Sequence, residues 1–347
     1  MTTLQAFDIE KIARCYKLTV SRWAPLSGGD SNSNYLLQSD QESYVLTIFE
    51  EKSLDSIVKQ GKLLQILSEN DFPSNTLIPL PTGDVAFIYK DKPAILKRYI
   101  SGDVCDILDN TMLYQVGQIM ARLHQIPAPD FLRDQHPYGL PLFRSIIGRQ
   151  INAEYESWLA GQLQYFEQHI PSGLPRALIH GDLYHGNILF DGELKAIIDF
   201  EEVCWYYKVF DLALAIARLC TEEGRLSLSQ ARTLVMGYQS SAVLEEQEKE
   251  SLQIFTEYAA TAISCWRFWK YNIDTPQASN AGRYQEMVTL ARKIHKIPQA
   301  NFIKRILADI SLNGKTRTPE DGPHPPNPPL PIIGEGGAKP CSTPLRP

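Results

Sequence analysis

The stretch 178–200 constrains this chain more than any other. An apolar run enters a His-x-Asp-x4-Asn segment, a short strand follows, Asp191-Gly192 turns the chain, and a return strand ends in Asp-Phe. Such a hairpin holds Asp182, Asn187 and Asp199 near one edge. Phosphoryl transfer from a metal–nucleotide complex uses a carboxylate that orients the attacking hydroxyl, and amide and carboxylate oxygens that hold Mg²⁺. The stretch therefore predicts Asp182 and Asn187 as catalytic residues, and Asn187 and Asp199 as metal ligands.

The composition narrows the class of partner. The chain has 347 residues, of which 44% are hydrophobic, and it can bury one large core or two modest ones. A net charge of −6 disfavours a nucleic-acid backbone as partner. The N-terminus is polar, and no apolar run approaches the roughly 18 residues of a membrane span. Six scattered cysteines favour reduced thiols. We therefore expect a soluble, cytoplasmic protein without a membrane or nucleic-acid partner.

Hydrophobic periodicity predicts an α+β fold with two lobes. A small strand-rich lobe covers 1–100 and a mostly helical lobe, which contains the hairpin, covers 101–312. The tail 313–347 is rich in proline and glycine and is predicted to be disordered, with an SH3-type ligand as the weaker alternative. Helices are predicted over 7–16, 54–70, 111–126, 146–169, 211–220, 227–238, 248–271, 283–294 and 301–312, and strands around 23–37, 44–49, 85–89 and 94–100.

A turn of small residues between the first two strands is a candidate phosphate loop. It contains Gly28, Gly29, Ser31 and Asn32. Small residues allow backbone N–H groups to approach a polyphosphate. A purely structural hairpin turn explains the same residues, so the signal depends on the hairpin that follows later in the chain.

Taken together, His180-Gly181-Asp182-Leu183-x-x-Gly186-Asn187 and Ile198-Asp199-Phe200 resemble the motifs of the aminoglycoside phosphotransferase and choline kinase superfamily, whose fold is protein-kinase-like. Within it, the chain is most similar to the kinase-like homoserine kinases. The strand Tyr44–Glu50, the loop Asn32–Tyr35 and the segment Gly237-Tyr238-Gln239 carry that finer resemblance. It covers about residues 5–310.

The resemblance implies roles for individual residues. Asp182 would be the catalytic base or would align the substrate hydroxyl, and Asp211 would brace the catalytic loop. The backbone of Arg98 and Ile100 would bind adenine. His180 would be a hydrogen-bonding brace; a zinc site formed with His185 is the alternative, but no further ligand is placed to complete it.

Two residues on the acceptor side each have two possible roles. Arg267 either clamps a substrate carboxylate or forms a structural salt bridge. Glu201, with Glu202 beside it, either binds a substrate ammonium or lies in an exposed loop. Both are candidate substrate-binding residues.

The chain departs from the superfamily pattern at two places. Most members carry a lysine on the strand that holds Thr47 and a glutamate on the next helix, and this chain lacks both. Lys52, Lys59 or Lys62 could supply the charge. The second departure is Trp205-Tyr206, which stands where the homoserine kinases carry an Asn-Asp pair facing the acceptor pocket, and it places homoserine in question.

We therefore expect an ATP- and Mg²⁺-dependent kinase that phosphorylates a hydroxyl of a small amino alcohol such as homoserine. Other acceptors are alternatives: an aminoglycoside, choline or a thio-sugar. A non-catalytic nucleotide-binding protein is a further alternative, motivated by the missing lysine–glutamate pair. The oligomeric state is not encoded in any pattern of the sequence.

Overall fold

The computed structural model describes residues 1–26, 32–40 and 42–307. Gly28, Gly29, Ser31 and the tail 313–347 lie outside these described residues. The strands are β1 Arg22–Pro25, β2 Asn32–Gln38, β3 Ser43–Phe49, β4 Leu77–Ile78, β5 Phe87–Tyr89, β6 Lys92–Arg98, β7 Arg176–Ile179, β8 Ile188–Asp191, β9 Glu193–Ile197, β10 Cys204–Tyr207, β11 Thr221–Glu222 and β12 Arg225–Leu226. The helices are α1 Ala6–Cys15, α2 Leu54–Glu69, α3 Asn110–Leu123, α4 Leu140–Ile146, α5 Ala153–His169, α6 Lys208–Leu219, α7 Leu228–Gln239, α8 Glu246–Trp269, α9 Tyr284–His295 and α10 Gln299–Leu307.

The N-terminal lobe is built on an antiparallel sheet with strand order β1-β2-β3-β6-β4, and β5 pairs with β6. Alternate residues of β3 face opposite sides of the sheet. Leu46 and Ile48 pack on the side of α1, whereas Phe49 packs on the side of α2. Both faces of the sheet are therefore covered by a helix, and Thr47 lies on the α2 side.

The rest of the described chain is mostly helical, which confirms the predicted α+β class with an antiparallel N-lobe and a helical C-lobe. Helix α6 is buried almost all round, from Val209 to Ala217, and α8 has a long buried stretch from Ser251 to Cys265. The core of the C-lobe continues into the α2 side of the N-lobe. The predicted hairpin is formed by β8 and β9, with Gly192 (φ +75°) in the turn.

One predicted helix, 146–169, is wrong in its first part. The chain forms α4 and α5 instead, separated by a loop in which Gly148 and Gln150 have left-handed φ angles of +89° and +60°. The carboxylate of Glu156 accepts hydrogen bonds from the N–H groups of this loop, at 2.7–3.1 Å. Asn152 caps α5 by accepting from the N–H of Tyr155. The break is therefore encoded by loop hydrogen bonds that hydrophobic periodicity does not report.

No helix in the described ranges is long and apolar enough to cross a membrane. The same residues contain no disulfide bond.

Candidate active site

The β8–β9 hairpin places Asn187 and Asp199 side by side. Asn187 lies directly before β8, and the N–H of Ile198 donates to its carbonyl oxygen at 3.0 Å, which extends the ladder by one rung. Asp199 follows in a left-handed conformation with φ +68°. Two oxygen-bearing side chains therefore leave the same end of the hairpin.

A buried carboxylate accepts hydrogen bonds from the backbone of the loop before β8. Asp211 of α6 accepts from the N–H groups of His180 (3.1 Å) and Gly181 (2.9 Å), and it lies 3.1 Å from Nε2 of His124. Burial alone would raise the pKa of Asp211, but the hydrogen bond and charge of His124 hold that pKa below its usual value. Nε2 of His180 lies 3.0 Å from the carbonyl oxygen of Ile198. Asp211 and His180 thus act as the loop braces that the resemblance implied.

Asp182 is presented to the cleft between the lobes. Its side chain is 26% exposed, and no described residue donates a hydrogen bond to its carboxylate. The guanidinium of Arg218 lies 3.6 Å from Oδ1 and stacks over the ring of Tyr184 at 4.4 Å. Burial raises the pKa of Asp182 to about 6, and the charge of Arg218 opposes that rise. Asp182 can therefore accept a proton or hydrogen bond from a ligand near neutral pH.

The oxygens at the hairpin end suit a hard divalent cation. Asn187 donates its amide N–H to the carbonyl oxygen of Asp182 at 2.9 Å, and no residue in the described ranges donates to its own amide oxygen. No described residue donates a hydrogen bond to the carboxylate of Asp199, and burial together with Glu201 raises its pKa to about 7. Mg²⁺ takes oxygen ligands and commonly only one or two from the protein. The pair therefore fits Mg²⁺.

The zinc alternative has no support from the geometry. Within residues 1–26, 32–40 and 42–307, His, Cys, Asp and Glu form no cluster of three or more that could hold a metal.

The N-lobe side of the cleft is tied to the C-lobe through Glu201. Asn32 donates its amide N–H to one carboxylate oxygen at 2.7 Å, and Lys52 forms an ion pair with the other. An acceptor ammonium would have to replace Lys52 in order to reach Glu201.

The segment after β6 offers backbone groups to a ligand. The N–H of Arg98 donates to the carbonyl oxygen of Thr76 at 2.8 Å, and the Arg98 side chain pairs with Glu42 at the surface. Among the described residues, none accepts the N–H of Ile100. One backbone donor is therefore available at the residue predicted to bind adenine.

Arg267 lies close enough to Arg218 for the two charges to act on each other. It is 14% exposed, and its guanidinium donates to Glu286 at 2.8 Å and to the carbonyl oxygen of Arg283 at 3.2 Å. The charge of Arg218 helps to lower the pKa of Arg267, although burial is the main cause and Glu286 acts in the opposite sense.

Trp205 and Tyr206 belong to β10 and have structural contacts. Arg176 stacks over the Trp205 ring at 4.9 Å, while Tyr206 packs against His136 and Phe210. The Trp205 ring therefore packs on the outer side of this short strand, and the Tyr206 ring packs on its inner side.

Comparison with known proteins decides the family. The model of the phosphotransferase enzyme family matches residues 22–248. The chain belongs to this family. A homoserine kinase of Sinorhizobium medicae is 25% identical over 271 residues, which is 75% of this chain and 82% of that protein.

Solved structures agree on the fold of this phosphotransferase. A microcompartment-associated aminopropanol kinase superposes with a TM-score of 0.65 at 16% identity, covering 86% of this chain and 99% of that one. An amicoumacin kinase in complex with AMP-PNP, Ca²⁺ and Ami superposes with a TM-score of 0.63 at 17% identity, covering 86% of this chain and 95% of that one. The expected kinase-like fold of the superfamily is confirmed.

The cleft of the phosphotransferase also contains cations that sequence reasoning missed. Lys97 ends the apolar run Ala94–Leu96 of β6, and Arg218 interrupts the apolar face of α6. A charged residue directly after a buried apolar run is the signal that could have found both, because a buried charge is rare without a partner.

Proposed function

We propose that this phosphotransferase transfers the γ-phosphoryl group of ATP to the hydroxyl of a small amino alcohol such as homoserine. The observation that carries the proposal is the convergence of Asp182, Asn187 and Asp199 at the open end of one hairpin. Relatives named homoserine kinase support the acceptor class. A structural neighbour crystallised with AMP-PNP and Ca²⁺ supports a nucleotide together with a divalent cation.

The residues of the hairpin perform the chemistry by positioning. Asp182 accepts the hydrogen bond of the acceptor hydroxyl and receives its proton as the new phosphorus–oxygen bond forms. The bond between the γ-phosphorus and the β–γ bridging oxygen breaks in the same step, and ADP leaves. Asn187 and Asp199 hold Mg²⁺, which neutralises charge on the phosphates when bound. Asp211 and His180 keep the loop rigid, so that Asp182 stays aligned.

The nucleotide is bound from the N-lobe. The candidate phosphate loop, with Gly28, Gly29, Ser31 and Asn32, is assigned to the phosphates on its sequence alone, because only Asn32 of these four lies in the part of the chain that the structure describes. The carbonyl oxygen of Arg98 binds adenine together with the N–H of Ile100, for which the described residues provide no acceptor.

The acceptor side is cationic, which favours an acceptor that carries an anionic group. Arg218 lies beside Asp182, and the charge of Arg267 acts on Arg218. A guanidinium binds a carboxylate through paired hydrogen bonds. Homoserine carries such a carboxylate, whereas choline does not. Its ammonium can reach Glu201 by exchange with Lys52.

The central test is Asp182→Asn. This variant keeps the size of the side chain and removes the proton acceptor, so we expect kcat to fall roughly 100- to 10,000-fold while Mg–AMP-PNP binds as before. Asp191→Asn, an exposed aspartate of the same hairpin, is the matched control and should retain activity. Wild-type turnover by Asp182→Asn would eliminate the proposed role.

An acceptor panel tests the substrate class. Phosphoryl transfer from ATP is measured with homoserine, uncharged amino alcohols, choline, an aminoglycoside and a thio-sugar. Preference for homoserine supports the proposal, and preference for choline or the aminoglycoside contradicts it. Tight nucleotide binding without transfer to any acceptor would identify a non-catalytic binder.

A further inference from the structure

The phosphotransferase has no lysine on β3, and the lysines near that strand in sequence are occupied or distant. Lys52 pairs with Glu201, and Lys59 pairs with Asp55 on α2 at 2.7 Å. Lys62 is exposed on α2. A polyphosphate in the cleft nevertheless requires positive charge from the protein as well as from the metal.

The sheet register directs a different lysine to the place of the missing one. Thr47 of β3 lies opposite Ile95 of β6, and Val45 lies opposite Lys97. Directly opposed residues share a face of the sheet, and so do alternate residues of one strand. Lys97 and Thr47 are therefore diagonal neighbours on the α2 side. Their β-carbons are about 7 Å apart in such an arrangement, well within the reach of a lysine side chain.

Lys97 is a partly buried cation that could bind an anionic ligand. Its side chain is partly buried, and its charge acts on the carboxylates of Asp199 and Glu201. Across residues 1–26, 32–40 and 42–307, its ammonium forms no hydrogen bond and no ion pair. Burial of a charge without a hydrogen-bonded partner is costly, and an anionic ligand would offset that cost.

We propose that Lys97 binds the phosphates of the nucleotide from β6, in place of a lysine on β3. This inference rests on the proposed function, because it assumes that Mg–ATP occupies the cleft. Lys52 is the competing candidate, but Glu201 already neutralises it. Lys97 lies on the same face of the sheet as Thr47, its charge acts on Asp199, and its ammonium has no hydrogen-bonded partner in the described part of the chain.

The test compares ligands with and without phosphates. Calorimetry measures the affinity of wild-type protein, Lys97→Met and Lys97→Gln for Mg–AMP-PNP and for adenosine. We expect both variants to lose roughly 10- to 100-fold in AMP-PNP affinity, because a charge-assisted hydrogen bond is removed, and to bind adenosine as before. Lys11→Met, an exposed lysine of α1, is the control and should change neither affinity.

A charge transplant separates this role from a general loss of structure. In Thr47→Lys/Lys97→Met the lysine returns to β3, and AMP-PNP affinity should recover most of the loss. Unchanged AMP-PNP affinity in Lys97→Met and Lys97→Gln, or the full loss in Lys52→Met instead, would overturn the assignment to Lys97. If the wild-type protein binds adenosine but gains nothing from the phosphates, the proposed function fails together with this inference. Normal wild-type binding with unaffected Lys97 variants removes the inference alone.

Discussion

Gly181 shows how a single residue shapes the loop that carries Asp182, the proposed proton acceptor. Its φ of +80° is left-handed, and a β-carbon there would lie 2.6 Å from the carbonyl oxygen of Glu202. Only glycine combines this conformation with this close approach. The His-Gly-Asp order thus turns the chain sharply, and the next side chain, that of Asp182, points into the cleft.

Arg218 is predicted to act on the acceptor and not on the nucleotide. In Arg218→Gln the KM for homoserine should rise roughly 10- to 100-fold, because a charged hydrogen bond to the carboxylate is lost. The affinity for Mg–AMP-PNP should stay unchanged. Steady-state kinetics with each substrate varied in turn, combined with calorimetry, measure both quantities.

Two further variants sharpen this prediction. Arg218→Lys retains the charge but loses the planar fork, so it should fall between wild type and Arg218→Gln. Arg225→Gln, in the exposed hairpin β11–β12, should leave KM unchanged. An equal rise in the KM for homoserine and for an uncharged amino alcohol would contradict recognition of a carboxylate by Arg218.

The predictability of the site differs from residue to residue for a physical reason. Asp182, Asn187 and Asp199 are joined by one hairpin, so their spacing along the chain alone implied that they meet. Lys97 and Arg218 reach the cleft through strand register and helix rotation, which join segments far apart in sequence. Local sequence patterns carry no information about contacts between segments that are far apart in the chain.

At the scale of elements, α3 and α7 approach each other through glycine. A β-carbon on Gly117 would lie 2.0 Å from the carbonyl oxygen of Leu234, and one on Gly237 would lie 2.0 Å from that of Tyr114. The two backbones are therefore in direct contact. This crossing also positions Tyr238, whose hydroxyl lies 2.9 Å from Nδ1 of His124 and so connects to Asp211.

Alanine at either glycine should separate these helices. We expect Gly117→Ala and Gly237→Ala each to lower the free energy of unfolding by about 1–3 kcal/mol, because overpacking forces the backbones apart. Gly161→Ala provides the control, since Gly161 lies in α5 with no atom within 4 Å of its β-carbon position. That change should stabilise the protein by roughly 0.5–1 kcal/mol. Urea unfolding measures all three, and a stabilising Gly117→Ala would refute the close crossing.

Long amphipathic elements were predictable, and the junctions between them were not. Helices α2 and α3 follow their apolar periodicity closely, because each buries one stripe of side chains. The break between α4 and α5 depends on Glu156, which accepts loop N–H groups only when the loop is already folded. The short strands β4 and β10 likewise exist only through their partners β6 and β7.

The whole molecule should show a pH-dependent stability to which His136 contributes. Its Nε2 lies 2.7 Å from the carbonyl oxygen of Gly181, and its Nδ1 accepts from the N–H of Tyr138 at 3.2 Å. This arrangement requires the neutral ring with the proton on Nε2. Burial lowers the pKa of His136 to about 4 in the folded protein, whereas an unfolded histidine has a pKa of about 6.5.

The sign of the effect follows from these two pKa values. Between pH 6.5 and 4 the unfolded chain binds a proton at residue 136 that the folded protein does not, so acidification favours unfolding. The contribution is fully present above pH 6.5 and is lost towards pH 4, by about 3 kcal/mol in total. Asp182 and Asp199, whose pKa values are raised, act in the opposite sense in an overlapping range. Only a difference between variants can therefore isolate His136.

His136→Gln provides that difference, because glutamine can donate to Gly181 but does not titrate. Unfolding free energies of wild type and His136→Gln are measured in urea at several pH values from 7 to 4. We expect the stability advantage of wild type over the variant to shrink steadily as the pH falls through this range, since the variant pays no proton-linked cost. An advantage that stays constant from pH 7 to 4 would mean that the ring is protonated equally in both states. The assignment of His136 as a buried, neutral ring in the folded protein would then be wrong.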